Sequence, residues 1–276
     1  MKTVKGLHEK MGTFENANTS FHQAARCKRY TNEVLAFSMV KEEELLRATE
    51  EIQNLTYRQG EYKIFKVFEP KERLIMALPF YDRVVQHMIC NAIQPVFENG
   101  FYYHSYACRS GKGMHAASDT LYQWMYETEV KQGLRMYAFK GDISKYFASI
   151  PHDKLKDENR RYIGDKKALM LMDDIIDHNG ILPDGVGIPV GNLTSQLFAN
   201  VYGNKLDKFC KHVLHIPYFV RYMDDFIILS DDLEQLKEWV KRIEEFLENE
   251  MLLHINPKST ILYAGNGIDF CGYIHY

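Results

Sequence analysis

Zinc-type cysteine pairing is missing from this 276-residue chain: Cys27, Cys90, Cys108, Cys210 and Cys271 are scattered, odd in number, and form no Cys-x-x-Cys pair. A zinc site or disulfide framework is therefore not the organising principle, and a reducing, cytoplasmic setting is expected. A run of about 18 apolar residues is also lacking, which argues against a membrane-spanning helix. Met1 to Gly6 leads into polar sequence without the apolar stretch of a secretion signal. Positive charge is not in excess: 34 Lys and Arg face 37 Asp and Glu, giving −3, so the chain does not coat nucleic acid by bulk attraction. Neither an internal repeat nor a low-complexity linker occurs. What is present, 46% hydrophobic and 26% charged residues, suits a globular protein with ample core.

The charge is unevenly distributed. Residues 1–139 carry 18 Lys and Arg against 16 Asp and Glu (+2), whereas residues 140–276 carry 16 against 21 (−5). Residues 1 to about 57 read as amphipathic helices with a solvated charged face at Lys41 to Arg47. Tyr62 to Pro70 alternates as a half-exposed strand, Pro70-Lys71-Glu72-Arg73 turns, and Leu74 to Pro79 returns. Lys63, Lys66, Lys71 and Arg73 around this hairpin could grip phosphate, or could simply solubilise it. Residues 80–99 and 114–132 read as helices. Between them Tyr102 to His115 mixes aromatics, glycines and Arg109, as a base-stacking loop or a loop tucked against the core would.

The second half centres on Tyr222-Met223-Asp224-Asp225, flanked by the β-favouring runs Tyr218 to Arg221 and Phe226 to Leu229. That pattern is a hairpin with acids at its tip, either an ordinary surface turn or a cation site. A strand from Arg135 to Lys140 runs into Gly141-Asp142, a helical segment covers about 154–178, and a Gly-rich loop, Gly185 to Gln196, feeds a helix from Leu197 to Val213. Asp231-x-x-Glu234 suggests a capping box, and Leu233, Leu236, Trp239, Val240, Ile243, Phe246 and Leu247 make a core-facing stripe. Short strands are expected at Leu252–Ile255, Thr260–Tyr263 and Ile268–Tyr276. Helices would cover one face of such an antiparallel sheet. If the Asp142 strand lies beside the hairpin, three carboxylates meet at the sheet edge. Their mutual repulsion calls for divalent cations, hard Mg²⁺ for preference with Mn²⁺ as a substitute.

In order and spacing these blocks resemble the reverse transcriptases. Tyr222 to Asp225 matches the family's motif C, Asp142 to Phe147 motif A, and Gly191 to Gln196 motif B. Asn256 to Thr260 resembles motif D, and Asp269 to Tyr273 the primer grip. Pro70 to Arg73, Asp82 to Gln86 and Ser105 to Gly111 match further blocks, so the likeness runs from about residue 60 to the end. It implies an α+β fold of right-hand polymerase fingers and palm, with an antiparallel palm sheet backed by helices. The domains expected are a helical extension at 1–57, fingers at 58–132 and palm through primer grip at 133–276, interleaved around 148–190. The family's helical thumb is not evident.

The resemblance also implies an activity: RNA-directed DNA polymerisation, adding dNTPs to a primer 3′-hydroxyl on a template RNA by two-metal phosphoryl transfer. Asp142 and Asp224 would hold Mg²⁺ with the Ile143 carbonyl, Asp225 would support their charge and geometry, and Lys258 would protonate pyrophosphate. Lys71 and Arg73 would hold the triphosphate, Phe147 would exclude a ribose 2′-hydroxyl, and Val190-Gly191 would line the nucleotide pocket. Arg83, Arg109, Ser195, Gln196, Tyr222, Phe270 and Gly272 are the expected template and primer contacts. Val190-Gly191 with Ser195-Gln196 resembles the enzymes of bacterial and phage diversity-generating retroelements, which copy template adenines with errors and work with a small basic accessory protein. The alternatives are a phage-defence or other bacterial reverse transcriptase, or a catalytically silent RNA-binding subunit.

Overall fold

Helical periodicity and strand alternation give eleven α-helices and eight β-strands in chain order among the described residues of the computed structural model, which are 3–68 and 72–276. They are α1 (Leu7–Met11), α2 (Phe14–Ala24), α3 (Asn32–Met39), α4 (Lys41–Gln53), β1 (Lys63–Phe68), β2 (Glu72–Ala77), α5 (Phe80–Glu98), α6 (Met114–Met125), β3 (Tyr137–Asp142), α7 (Tyr146–Ser149), α8 (His152–Tyr162), α9 (Lys166–Asp177), α10 (Leu193–Lys208), β4 (Tyr218–Tyr222), β5 (Asp225–Ser230), α11 (Leu233–Phe246), β6 (Thr260–Tyr263), β7 (Ile268–Phe270) and β8 (Tyr273–His275). The chain divides into two compact units, 1–100 with 151–198 and 101–150 with 199–276. This differs from the division expected from sequence. Residues 1–57 pack with the following 43 residues rather than standing apart, and residues 101–132 belong with the sheet-bearing unit. None of the described helices is long and apolar enough to cross a membrane.

The first unit is built on α5, whose buried side carries Val84, Val85, Met88, Ile89 and Ile93. Phe21 of α2, Phe37 of α3 and Phe80 of α5 close against one another, with ring centroids 5.1–6.0 Å apart. Thr13 caps α2 by accepting the Asn16 N–H. The Asn16 amide reaches the Met88 carbonyl at 2.8 Å, fixing α2 on α5. Strands β1 and β2 pair antiparallel from Lys63↔Ala77 to Phe68↔Glu72, the hairpin that alternation predicted. The single helix expected over 154–178 is instead α8 and α9, because Asp165 breaks the run and caps α9 through the Lys167 and Ala168 N–H groups.

The second unit holds a four-stranded antiparallel sheet ordered β4-β5-β3-β6, and a separate β7–β8 hairpin. Along β3 and β5 successive side chains alternate faces. Ala138, Ile227 and Leu229 join Val220 in a buried cluster with Ala117, Leu121 and Met125 of α6 and Phe270 of β7. Phe139, Phe219 and Phe226 lie on the opposite face, their rings 5.8–6.0 Å apart, and α11 packs on β3 and β5. Helices therefore contact both faces, not one alone. On the α6 face burial falls from complete at Ala138, Ile227 and Leu229 to partial at Lys140, Asp142 and Asp225. The α11 stripe is as expected, with Leu236, Ile243 and Leu247 buried. Its cap is Asp232 rather than Asp231: Asp232 accepts from the Glu234 and Gln235 N–H groups at 2.9 and 3.0 Å. Leu252–Ile255 forms no strand, only an isolated bridge between Ile255 and Ile143. Helix α10 begins at Leu193, four residues before the expected start, because Gln86 Oε1 takes up the Leu193 N–H at 3.2 Å.

Candidate active site

The register of the second unit's sheet brings the predicted acids together. Asp142, last residue of β3, is the cross-strand partner of Asp225, first residue of β5, which also pairs with Tyr222. Met223 and Asp224 form the two-residue turn between β4 and β5, and Met223 adopts φ +60°, a left-handed conformation unusual for a side chain of its size. The Ile143 N–H donates to the Asp224 carbonyl at 3.3 Å, tying the tip back to the end of β3. Burial pushes the Asp225 carboxyl up to about 6, and the neighbouring Asp224 and Asp142 charges add to the rise. Lys140, two residues before Asp142 on the same face, opposes this and pairs with Asp269 at 3.0 Å.

The donors here are hard carboxylate oxygens, the set that a hard divalent cation prefers. Among the described residues no group of three or more His, Cys, Asp or Glu is arranged to cage a metal. Paired carboxylates of this kind suit a hard cation that completes its shell with phosphate and water.

Two residues not singled out from sequence hold Asp142. The Asn256 amide nitrogen donates to Asp142 Oδ2 at 2.5 Å, and its backbone N–H donates to the Asp142 carbonyl at 2.8 Å. Ser259 Oγ accepts the Asp142 N–H at 3.0 Å. Both lie in the segment quoted for motif D, and an Asn before Pro in a loop was the available signal. Lys258 is exposed in the same turn, its N–H donating to Asn256 Oδ1.

The other expected site residues divide between the units. In the second unit Phe147, on α7, is half-buried with its ring edge-to-face with that of Tyr146. Tyr146 is buried and donates its hydroxyl hydrogen to the Ala199 carbonyl at 2.7 Å. Tyr222 is half-buried. Phe270 is 2% exposed within the core cluster, which corrects its expected primer contact: its ring lies inside the fold. Gly272 stays exposed at φ +81° in the β7–β8 turn. Arg109 folds back on its own loop, donating to the Tyr102 and Ser105 carbonyls at 2.7 Å each. That favours the reading of a loop tucked against the core.

In the first unit Val190 accepts the Met76 N–H at 3.0 Å through its carbonyl. Gly191 follows at φ +117°, where a Cβ would lie 3.1 Å from Ile75 and 3.3 Å from the Met76 carbonyl oxygen. Glycine is required there by both conformation and space. The loop is held by a polar ring: Asn192 donates to the Tyr62 hydroxyl at 3.0 Å, Gln59 bonds Tyr62, and the buried Gln86 bonds both Gln59 and the Leu193 N–H. Gln196 lines a cavity of about 200 Å³ with Lys28, Arg83, His87 and Gly191. Arg83 is ion-paired with Glu33. Ser195 is 3% exposed, so its expected template contact is replaced by a place inside the fold. Arg73 is exposed on β2, opposite Val67. Lys71 lies outside the described residues.

With this geometry in hand, comparison with known proteins defines the class. Residues 66–275 match the family described as reverse transcriptase (RNA-dependent DNA polymerase), and the chain belongs to that family. It is 25% identical over 238 residues to Protein YkfC of Escherichia coli (strain K12), covering 70% of this chain and 60% of that protein. It is 29% identical over 137 residues to an uncharacterised 91 kDa protein in the cob intron of Schizosaccharomyces pombe, covering 48% of this chain and 16% of that one. Among solved structures, telomerase from Candida albicans in complex with a fragment of telomeric RNA superimposes with TM-score 0.57 at 12% identity, over 80% of this chain and 46% of the telomerase chain. The fold is that of a right-hand polymerase, with the antiparallel palm sheet expected from sequence. The chain spans less than two thirds of each of these proteins.

Proposed function

We propose that this chain is an RNA-directed DNA polymerase that extends a primer 3′-hydroxyl with dNTPs along a template RNA. The observation that carries the reading is the cross-strand pairing of Asp142 with Asp225 beside the Asp224 turn. Such a concentration of negative charge at a half-buried sheet end costs stability, and cation binding offsets it. Asp142 and Asp224 are assigned as the residues that hold Mg²⁺, with the Ile143 carbonyl, while Asp225 supports them. Bound Mg²⁺ would supply Lewis-acid chemistry, easing deprotonation of the primer hydroxyl and offsetting charge on the departing pyrophosphate.

The remaining assignments concern what the chain's own groups do. Asn256 and Ser259 fix the side chain and backbone of Asp142. The half-buried Phe147 ring blocks a 2′-hydroxyl. Arg73 and Lys71 take the triphosphate through charge-assisted hydrogen bonds. Lys258, exposed in its turn, delivers a proton to pyrophosphate.

The subtype is assigned to the diversity-generating retroelements on Val190-Gly191 and Ser195-Gln196. An apolar Val190 side chain donates no hydrogen bond to the nucleotide, which loosens discrimination. A basic accessory protein as partner suits the −5 charge of residues 140–276. A template repeat and variable repeat beside the gene would support this subtype, and a defence cluster there would overturn it.

The activity is tested by extension of an RNA-templated primer with Mg²⁺ and dNTPs, with Asp224→Asn alongside and the accessory protein added in a second series. Extension by the native chain alone is expected. Equal signal from both proteins removes the catalytic assignment.

A further inference from the structure

Arg221 is the largest fully buried side chain among the described residues, at 0% exposure one residue before the Tyr222-Met223-Asp224-Asp225 turn. A guanidinium presents five N–H donors in a fixed plane, and five acceptors receive them here. Its Nε donates to Asp207 Oδ1 at 2.6 Å and Nη2 to Asp207 Oδ2 at 2.7 Å, a two-pronged pair with a carboxylate that is itself 0% exposed. Nη2 also donates to Ser105 Oγ at 3.1 Å, and Nη1 to Asn200 Oδ1 at 3.5 Å. The remaining contact runs from Nη1 to the Met223 carbonyl at 2.8 Å. Met223 is the turn residue with φ +60°, a left-handed conformation that disfavours an ordinary side chain.

The surroundings are shaped for this group. Gly203, one turn before Asp207 on α10, lies so close that a Cβ would stand 2.7 Å from Nη1 and 2.8 Å from Cζ. Backbone bonds hold Arg221 from the other side, its N–H donating to the His104 carbonyl and its carbonyl accepting the Tyr106 N–H, both at 3.0 Å. The fork is thus held by α10 and by residues 104–106, and its Nη1 reaches the Met223 carbonyl of the turn.

We infer that Arg221, oriented by Asp207 and admitted by Gly203, is a positioning residue that holds the Met223 carbonyl and thereby sets where the turn presents Asp224. A buried ion pair is a poor source of stability, since apolar residues of similar volume often replace one without loss. Its use here is the fixed direction of a planar fork, which lysine cannot reproduce. The inference deepens the polymerase reading and rests on it for its catalytic consequence, though not for its structural one.

The test therefore uses a readout that needs no activity. The Ile143 N–H donates to the Asp224 carbonyl, so its hydrogen-exchange protection reports the position of the turn, while the amides pairing β3 with β6 report the sheet. Asp207→Leu with Arg221→Met removes the pair without leaving a lone buried charge. The expected result is a folded protein that loses Ile143 protection at least tenfold while the β3–β6 amides keep theirs. Primer extension by it should show kcat reduced about 10–100-fold, the range for loss of a group that orients a metal-binding carboxylate, with KM for the template–primer unchanged. Arg221→Lys, which keeps the charge beside Asp207, should show the same pattern and serves if the double variant does not fold. Native Ile143 protection in either folded variant overturns the inference. A native chain that protects Ile143 yet extends no primer overturns the polymerase reading instead.

Discussion

Asn256 and Asp142 are joined twice, amide to carboxylate at 2.5 Å and backbone to backbone at 2.8 Å. A carboxylate held this way has one oxygen engaged and its plane fixed before any cation arrives. Asn256→Ala should lower kcat for primer extension by about 10–100-fold, since partners that orient metal-binding carboxylates carry effects of that size. Steady-state kinetics against Mg²⁺ concentration check this, and the half-saturating Mg²⁺ concentration should rise. An unchanged Mg²⁺ dependence would remove Asn256 from the site.

Gly141, immediately before Asp142, leaves no room for a methyl group: a Cβ there would lie 2.3 Å from Phe226 Cζ. Phe226 is itself confined by Phe139 and Phe219. Gly141→Ala should destabilise the fold by about 1–3 kcal/mol through overpacking, and Phe226→Leu added to it should restore part of the loss. Denaturant titration of the two variants measures both effects. Equal stability of Gly141→Ala and the native chain would contradict the packing described.

His104 is the second titrating group with a pH consequence. Burial, then the charges of Lys112 and Lys211, hold its imidazole down at about 4. Its Nδ1 is 3.0 Å from the Tyr106 hydroxyl, and its ring meets Trp124 edge-on. A histidine whose folded value is depressed favours the neutral form, so its contribution is intact above its unfolded value near 6.5 and is lost as pH falls towards 4. Melting temperature should therefore decline across that window more steeply in the native chain than in His104→Gln. Parallel curves would show that His104 is not responsible.

Val190→Gln should lower misincorporation opposite template adenine by about fivefold, the worth of one net hydrogen bond near 1 kcal/mol. Sequencing of primer-extension products gives the error spectrum, and an unchanged adenine bias would detach Val190 from fidelity. Its backbone carbonyl bond to Met76 should survive the substitution, so the loop itself is not expected to move.

Phe147→Ala should admit ribonucleotides, raising rNTP relative to dNTP use by one to two orders of magnitude, as expected when a single steric exclusion is lifted. Competition assays with paired nucleotides measure the ratio. The neighbouring Tyr146 offers an internal comparison: its buried hydroxyl is committed to Ala199, so Tyr146→Phe should affect stability and leave sugar selection alone.

Sequence made the acids and the strands that carry them legible, because alternating burial, a two-residue turn and an ordered set of short blocks constrain each other. Asp142 beside Asp225 follows from that pattern. What stayed hidden are contacts that depend on distant chain segments. Arg221 in an apolar strand signalled a buried charge in need of a partner, yet nothing local says that Asp207, in a helix of mixed polarity, supplies it. Phe270 reads as a primer contact because its block resembles the family's primer grip; only its place in the buried cluster that also holds α6 residues shows that its ring turns inward. Asp165 split an expected helix because a capping side chain competes with helix continuation, a balance that apolar periodicity does not register.

The strand order β4-β5-β3-β6 has a kinetic corollary. The β4–β5 ladder closes over a two-residue turn, whereas Asp142 meets Asp225 only after the 82 residues between them are drawn together, and β6 joins β3 from further still. Local hairpins form in microseconds, but long-range closure is entropically slow. The acids of the turn should thus be in place early and their partner strand late, so competence for chemistry would emerge among the last events of refolding and serve as a clock for its completion.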